Sequence, residues 1–376
     1  MLYLKRQGVI KKLNGSTFTP FIQRLLKNLA NLQTIGMELK KSAQRARISV
    51  VIPMYNAAGT IEECLESLSR MDFPKKGFEV IVVNDGSKDN SLGLARRIVK
   101  RNFNFRLLDL GKNFGKITAR EQGVKAAKYS LIAFIDADCK ADKNWLKELA
   151  NSGSRQVIGI TFNNPKRSKV DLFFHLVRKK YYYWPSRIEE VSWGNFHKAP
   201  KGTENFLCDK KLFLECSPKI KGRTVNDDTL IMANILKKKA GIVMNPSANV
   251  THLERDSLEG VFKQWQLRAL TFWNYFIQEQ KKQNQAFGIF ALAWVFLAAL
   301  TWLNPLFLVY LAAIIAITDF FSSLYFIEKP GQWIQFWRVG IVMKAGFASG
   351  IIKSRKKFWK LWTASLLAIL ILRLVS

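Results

Sequence analysis

Apolar residues follow different rhythms along this chain, and each rhythm predicts a different kind of structure. In "FIQRLLKNLANLQTI", Phe21, Leu25, Leu29 and Leu32 recur at intervals of three or four, the period of a helix with one apolar stripe. From Arg47 the pattern turns to short β-branched runs, "ISVVIPMYN", "FEVIVVNDGS", "FRLLDLG" and "SLIAFIDADC". Helical stretches such as "TIEECLESLSR", "NSLGLARRIVKR" and "GKITAREQGVKAAK" separate them. Strands that are apolar at nearly every position are buried on both faces, so this alternation predicts an α/β fold with a mostly parallel central sheet covered by helices. Ligands of such sheets sit beyond the C-terminal ends of the strands. Those ends carry polar clusters: Pro53-Met54-Tyr55-Asn56, Asn84-Asp85-Gly86-Ser87, Gly111-Lys112-Asn113 and Asp136-Ala137-Asp138.

Toward the C-terminus the apolar runs lengthen. "AFGIFALAWVFLAALTWL" (286–303) carries no charge, "PLFLVYLAAIIAITDFFSSLYF" (305–326) carries only Asp319, and "FWKLWTASLLAILILRLVS" closes the chain from Phe358. A helix crosses hydrocarbon with about 18 or more apolar residues, so transmembrane helices are predicted over 286–303, 305–326 and 358–375. Between them, over 332–352, aromatics interleave with Arg338 and Lys344, a pattern suited to a helix lying in the membrane interface. Lys353, Arg355, Lys356 and Lys357 follow, and such clusters attract anionic headgroups. Lys281 and Lys282 precede the apolar hairpin and Lys329 and Arg338 follow it, so the positive-inside bias places the α/β part on the cytoplasmic side. The expected division is a basic amphipathic segment 1–46, a domain over 47–283 and a membrane region over 284–376.

Charge narrows the partners. Lysine and arginine total 59 against 28 acidic residues, a formal net charge of +31, which attracts nucleic acid, anionic lipid or phosphorylated substrates. Much of the charge borders the apolar runs and no nucleic-acid motif is present, so membrane lipids and phosphorylated substrates are the expected partners, and nucleic acid is not. Cys64, Cys139, Cys208 and Cys216 show no CxxC spacing, so neither a zinc site nor a disulfide frame is expected. The opening "MLYLKRQGVIKK" is read as lacking a secretory signal.

Two carboxylates one residue apart at a strand end, Asp136 and Asp138, can both reach one divalent ion, or one can bind it while the other holds a ligand. Hard oxygen donors around an open coordination sphere suit Mg²⁺ or Mn²⁺ carrying a diphosphate. In "TVNDDTLIMANIL", Asn226, Asp227 and Asp228 stand at a predicted helix start. The helix dipole favours carboxylates there in any protein, and one of them can also serve as a general base.

"ISVVIPMYN", "VNDGSKD", "NFGKITAR" and the strand ending in "DADC" resemble, in matching order over about Arg47 to Tyr275, the family 2 inverting glycosyltransferases of the GT-A fold. The resemblance implies that Pro53, Tyr55, Asn56, Asp85 and Gly86 hold the nucleotide base and ribose, and that Lys116 approaches the nucleotide or its diphosphate. Asp136 would face the ribose or sugar, and Asp138 the metal, which Asp136 either shares or leaves to its neighbour. His252 would complete metal or diphosphate binding. "GTENFLCDKKLFLE" is similar to the acceptor-side segment, which makes Gly202, Glu204 and Asn205 acceptor contacts. Asp228 matches the second acid of the family's acidic pair and is the expected general base, with Asp227 in reserve. "FKQWQLRALTFW" is similar to the QxxRW segment of membrane-bound synthases, although three residues separate Gln264 from Arg268 and Ala269 replaces the tryptophan; Arg268 remains the implied diphosphate partner. The chain also departs from the family after "YN", where Ala57-Ala58 replace acidic residues.

The expected activity is transfer of a sugar from a nucleotide diphosphate sugar to a hydroxyl of a lipid-linked saccharide or surface glycan. A polyprenyl-phosphate glycosyltransferase is the alternative, a processive polysaccharide synthase ranks third, and a catalytically dead nucleotide-binding scaffold is the non-enzyme reading.

Overall fold

The computed structural model describes residues 46–181, 185–196, 199–219, 227–253, 257–267 and 332–353, with the single positions 317 and 327. The elements in chain order are β1 (Ile48–Met54), α1 (Ile61–Ser69), β2 (Phe78–Asn84), α2 (Ser91–Val99), β3 (Phe105–Asp109), α3 (Lys116–Ala126), β4 (Leu131–Phe134) and β5 (Cys139–Ala141). They continue with α4 (Trp145–Ala150), β6 (Val157–Asn163), α5 (Lys169–Tyr181), β7 (Glu189–Val191), β8 (Phe206–Asp209), α6 (Lys210–Cys216), α7 (Asp227–Lys237) and β9 (Ile242–His252). Helices α8 (258–267) and α9 (Trp333–Lys353) follow.

The strands lie in the order β3-β2-β1-β4-β8-β6-β9-β5, with β7 pairing β9. The expected parallel arrangement holds for β3, β2, β1 and β4, with α1, α2 and α3 as the crossovers from each strand to the next. Every residue of β1 is buried, as its unbroken apolar run requires. Beyond β4 the expectation of a mostly parallel sheet is corrected: β8 runs antiparallel to β4 and β6, β5 and β7 run antiparallel to β9, and only β6 and β9 are parallel. The strict alternation of strand and helix that enforces a parallel return breaks here. Strand β5 follows β4 after a tight turn, and among the described residues between β7 and β8 a short 3₁₀ turn, Thr203–Asn205, leads into β8.

Two apolar layers flank this mixed sheet. Leu65 and Leu68 of α1, Ala95 and Ile98 of α2 and Trp145 of α4 pack on one face. Ala119 and Val124 of α3, Phe213 of α6 and Ile231 and Ile235 of α7 pack on the other. Helix α3 lies close to the strands because residue 123 is glycine: a Cβ there would sit 2.5 Å from Val51 Cγ1 and 3.0 Å from Val83 Cγ2. That approach sets the depth of Lys116 and Arg120 at the sheet's C-terminal edge.

Helix α9 packs on the domain. Phe336 and Val339 are buried against Val170, Phe173 and Phe174 of α5 and Val261 of α8, with the Phe173 and Phe336 rings 4.7 Å apart. Among the described residues no helix is long and apolar enough to cross a membrane. The expected spans 286–303, 305–326 and 358–375 and the segment 1–46 lie outside the described residues, apart from Ala46 and Ile317.

Candidate active site

At the C-terminal ends of β1 and β2 the chain is tied down by its own side chains. Asp85 is buried, and its two oxygens accept hydrogen bonds from the Phe114 and Gly115 amides at 2.7 and 2.9 Å. Gly86 has a φ of +68°, and a Cβ on it would meet the Lys112 carbonyl carbon at 2.5 Å. Glycine is therefore required twice, for the left-handed backbone and for the approach of the 112–113 backbone. Asn56 also takes a positive φ, 49°; its Oδ1 accepts from the Lys88 amide at 2.8 Å and its own amide donates to Ser87 Oγ at 3.0 Å. At Ala57 and Ala58, the backbone amides donate to Ser91 Oγ at 2.6 Å and Asp89 Oδ2 at 3.0 Å. Tyr55 is half-buried at the strand end. Pro53 lies buried within β1, paired with Val83.

The turn after β4 sends its two aspartates to different partners. In an extended strand, residues i and i+2 point the same way, which underlies the expectation that both reach one ion. Strand β4 ends at Phe134, and the turn aims Asp136 at Arg120 Nη2, 2.7 Å away. Asp138 lies instead 3.7 Å from His252 Nε2. The antiparallel pairing of Cys139 with His252 across β5 and β9 brings this about, reinforced by the Leu253 amide donating to the Asp138 carbonyl at 2.7 Å. Asp138, Cys139 and His252 present ligand atoms within 4.8 Å of one another. Burial and the charges of Asp138 and Asp136 push the Cys139 thiol up, so it stands protonated beneath the pair. A half-exposed carboxylate and an imidazole fit a divalent ion that keeps its other positions for water and phosphate oxygens.

Arg120 organises the other side. Its guanidinium is fully buried and, besides Asp136, reaches Asp228 Oδ1 at 2.7 Å and Asp227 Oδ2 at 3.1 Å through Nη1. Lys116, one helical turn earlier, lies 3.2 Å from Asp228 Oδ2 and 3.9 Å from Asp136 Oδ2, with about a third of its side chain exposed. Thr203 Oγ1 donates to Asp228 Oδ1 at 2.5 Å. Burial alone would raise the Asp228 carboxyl, but Lys116 and Arg120 outweigh it and hold the group well below the usual carboxylate range. Asp227 goes the other way, because burial and the Asp228 charge push its carboxyl up to about 6. The same carboxylates hold Lys116 and Arg120 firmly protonated against the opposing effect of burial.

On the acceptor side, Asn205 is buried. Its amide donates to the carbonyls of Ile160 and Ala248, each at 2.9 Å, and accepts from Trp145 Nε1 at 2.8 Å. Room for it exists because residue 159 lacks a side chain; a Cβ there would lie 2.3 Å from Asn205 Oδ1. Glu204 folds back over Gly202, with Oε1 3.5 Å from Arg178 of α5. Arg268 and Asn226 lie outside the described residues. The sequence pattern assigned no role to Arg120 or Thr203. The signal for Arg120 was its spacing of four from Lys116, which puts both on one helix face; Thr203 had none.

The structure brings Lys116, Asp136, Asp227 and Asp228 into one cluster, with Asp138 and His252 beside it across the β4–β5 turn. Comparisons with known proteins cover the first part of this site. The profile of Glycosyl transferase family 2 matches residues 49–216. Glycosyltransferase AglE of Haloferax volcanii is 34% identical over 100 residues, which is 27% of this chain and 33% of AglE. Poly-beta-1,6-N-acetyl-D-glucosamine synthase of Staphylococcus aureus is 38% identical over 97 residues, 26% of this chain and 23% of the synthase. The matched region therefore spans a third or less of these curated relatives. The solved mannosyltransferase PcManGT of Pyrobaculum calidifontis, in complex with GDP-Man and Mn²⁺, superposes with a TM-score of 0.52 at 18% identity, covering 84% of this chain and 88% of that one. On these grounds residues 49–216 are a glycosyl transferase family 2 domain, carried on a GT-A-like α/β framework.

Proposed function

We propose that the protein is a metal-dependent, inverting glycosyltransferase. It moves a sugar from a nucleoside diphosphate sugar to a hydroxyl of a lipid-linked saccharide or surface glycan, with the catalytic domain on the cytoplasmic face of a membrane. The observation that carries this reading is the division at the β4–β5 turn, with Asp138 and His252 on one side and Asp228 with its two cations on the other. The names of AglE and of the poly-N-acetylglucosamine synthase support glycan assembly, and the apolar runs after residue 285 support the membrane.

Asp138 and His252 would hold the divalent ion, which neutralises the charge developing on the departing diphosphate. Lys116, exposed on one side, turns to the same phosphates and leaves Asp228 Oδ2. The acceptor hydroxyl attacks the anomeric carbon from the face opposite the diphosphate, its proton passing to Asp228. The bond from that carbon to the phosphate oxygen breaks, with its electron pair leaving on the nucleoside diphosphate. Glu204, held near Arg178, faces the acceptor.

A second reading has one observation in its favour. A carboxylate held well below its usual range is a weak base, and an acceptor that is already anionic, such as a polyprenyl phosphate, needs none. Incubation of the purified protein with Mn²⁺ and a panel of UDP- and GDP-sugars tests the class. Release of one nucleoside diphosphate, abolished by Asp138→Ala, is expected; release that survives Asp138→Ala at full rate would refute the metal assignment.

A further inference from the structure

We propose that Arg120 is a positioning residue that fixes the sugar-facing carboxylate Asp136 and the acceptor-side carboxylate Asp228 at a set separation, so that the two halves of the site act as one unit. This rests on the glycosyltransferase reading above and adds a role for a residue that touches neither substrate.

The geometry is specific to a planar fork. Nη2 engages Asp136 beyond β4, and Nη1 engages Asp228 and Asp227 in the first turn of α7. An ammonium group is a point charge on a flexible stem and cannot hold separate carboxylates in a fixed orientation. Lys116 also faces Asp136 and Asp228, but at 3.9 and 3.2 Å and from a partly exposed side chain, so it is the cation free to follow a phosphate. Arg120 is fully enclosed and stays. Gly123, one turn farther along α3, lets the helix lie on Val51 and Val83 and so sets that depth.

The cluster is also incompletely satisfied, which argues for position over stability. Arg120 Nε and Asp227 Oδ1 are buried with no hydrogen-bond partner among the described residues. Replacing a buried ionic group of this kind by well-packed apolar side chains is often neutral or stabilising, so stability alone does not account for it. Facing Arg120 are Asp136 from the β4 turn and Asp227 and Asp228 from α7, with Lys116 on its own helix and Thr203 bonded to Asp228.

The test compares the unaltered protein with Arg120→Lys and with the charge-balanced double variant Arg120→Gln/Asp227→Asn. Steady-state transfer is measured alongside calorimetric binding of the released nucleoside diphosphate with Mn²⁺. The expected result is a kcat lowered about 10- to 100-fold in both variants, the scale of misplacing a group held by charge-assisted hydrogen bonds, with donor KM and nucleoside diphosphate affinity within about twofold. Unchanged kcat in either variant overturns the proposal. So does a fall in kcat matched by an equal fall in nucleoside diphosphate affinity, which marks a merely structural residue. An unaltered protein silent on every donor removes the glycosyltransferase reading and this role with it, an outcome distinct from active enzyme with indifferent variants.

Discussion

Replacing Asp228 by Asn separates the two readings of the acceptor. The side chain keeps its size and its hydrogen bond from Thr203, but loses the charge that Lys116 and Arg120 hold at 3.2 and 2.7 Å. Those cations keep Asp136 and Asp227 as counter-charges. Relief of Asp228's repulsion also lowers the Asp227 carboxyl toward its ordinary range, so two carboxylates then balance two cations and the fold is retained. A positioned general base contributes about 100- to 10,000-fold in rate, equivalent to about 3 to 5 kcal/mol of transition-state free energy. With a hydroxyl acceptor, Asp228→Asn should therefore lower kcat by at least about 100-fold while leaving donor KM nearly unchanged. The assay is transfer to a membrane extract with the cognate labelled sugar, alongside nucleoside diphosphate binding to confirm an intact donor site. Near-normal kcat in Asp228→Asn would refute the general-base role and favour a phosphate acceptor. A single sugar joined to lipid through one phosphate should then be the product.

Three further outcomes follow from the geometry. Asp138→Ala and His252→Ala should each weaken Mn²⁺ binding at least about tenfold by calorimetry or Mn²⁺ resonance, whereas Asp136→Ala, whose carboxylate turns to Arg120, should leave it within a few fold; equal losses in all three would show a shared ion. Asp227, with a carboxyl raised to about 6, stays protonated in the folded chain after the unfolded chain has ionised. Its stabilisation is thus complete below the unfolded value of 3.8 and is lost as pH rises through 6, so the Tm of Asp227→Asn relative to the unaltered protein should climb over that window, and a flat difference contradicts it. Gly86→Ala forces a side chain into a φ of +68° and against the Lys112 backbone. It should cost about 2 kcal/mol or more in denaturant unfolding and weaken nucleotide binding, and a neutral result would mean that the 112–113 backbone yields.

The parts of the molecule evident from the sequence are those set by local pattern. Strands β1, β2 and β4 follow from unbroken apolar runs, and their polar ends from the rule that ligands lie beyond them. The pairs that matter chemically depend on pairing between distant segments. His252 reaches Asp138 only because β5 turns antiparallel onto β9, and no periodicity in "CKA" announces that. Asp136 and Asp138 look equivalent in "DADC", and a tight turn makes them unlike. The place that Gly159 opens for Asn205 beneath the sheet is likewise set by a segment distant in sequence. Arg120 lay in a recognised motif, and its role required knowing that α7 begins above it.

On the proposed reading, the charge count at Arg120 has a consequence for the order of events. Asp136, Asp227 and Asp228 face Lys116 and Arg120, so full ionisation leaves one negative charge uncompensated. Burial makes Asp227, the acid with the raised carboxyl, the one that takes up a proton and relieves that excess as pH falls toward 6. While Lys116 stays with Asp228, the base is clamped and weak. When a diphosphate draws Lys116 away, Asp228 keeps only Arg120 and Thr203, and its carboxylate rises toward ordinary basicity. Base strength then appears only after the donor has arrived, with Arg120 preserving the position of Asp228 as its other cation leaves. The two cations one turn apart on α3 thus divide the work: the exposed one answers the substrate, and the buried one keeps the acids where the reaction needs them.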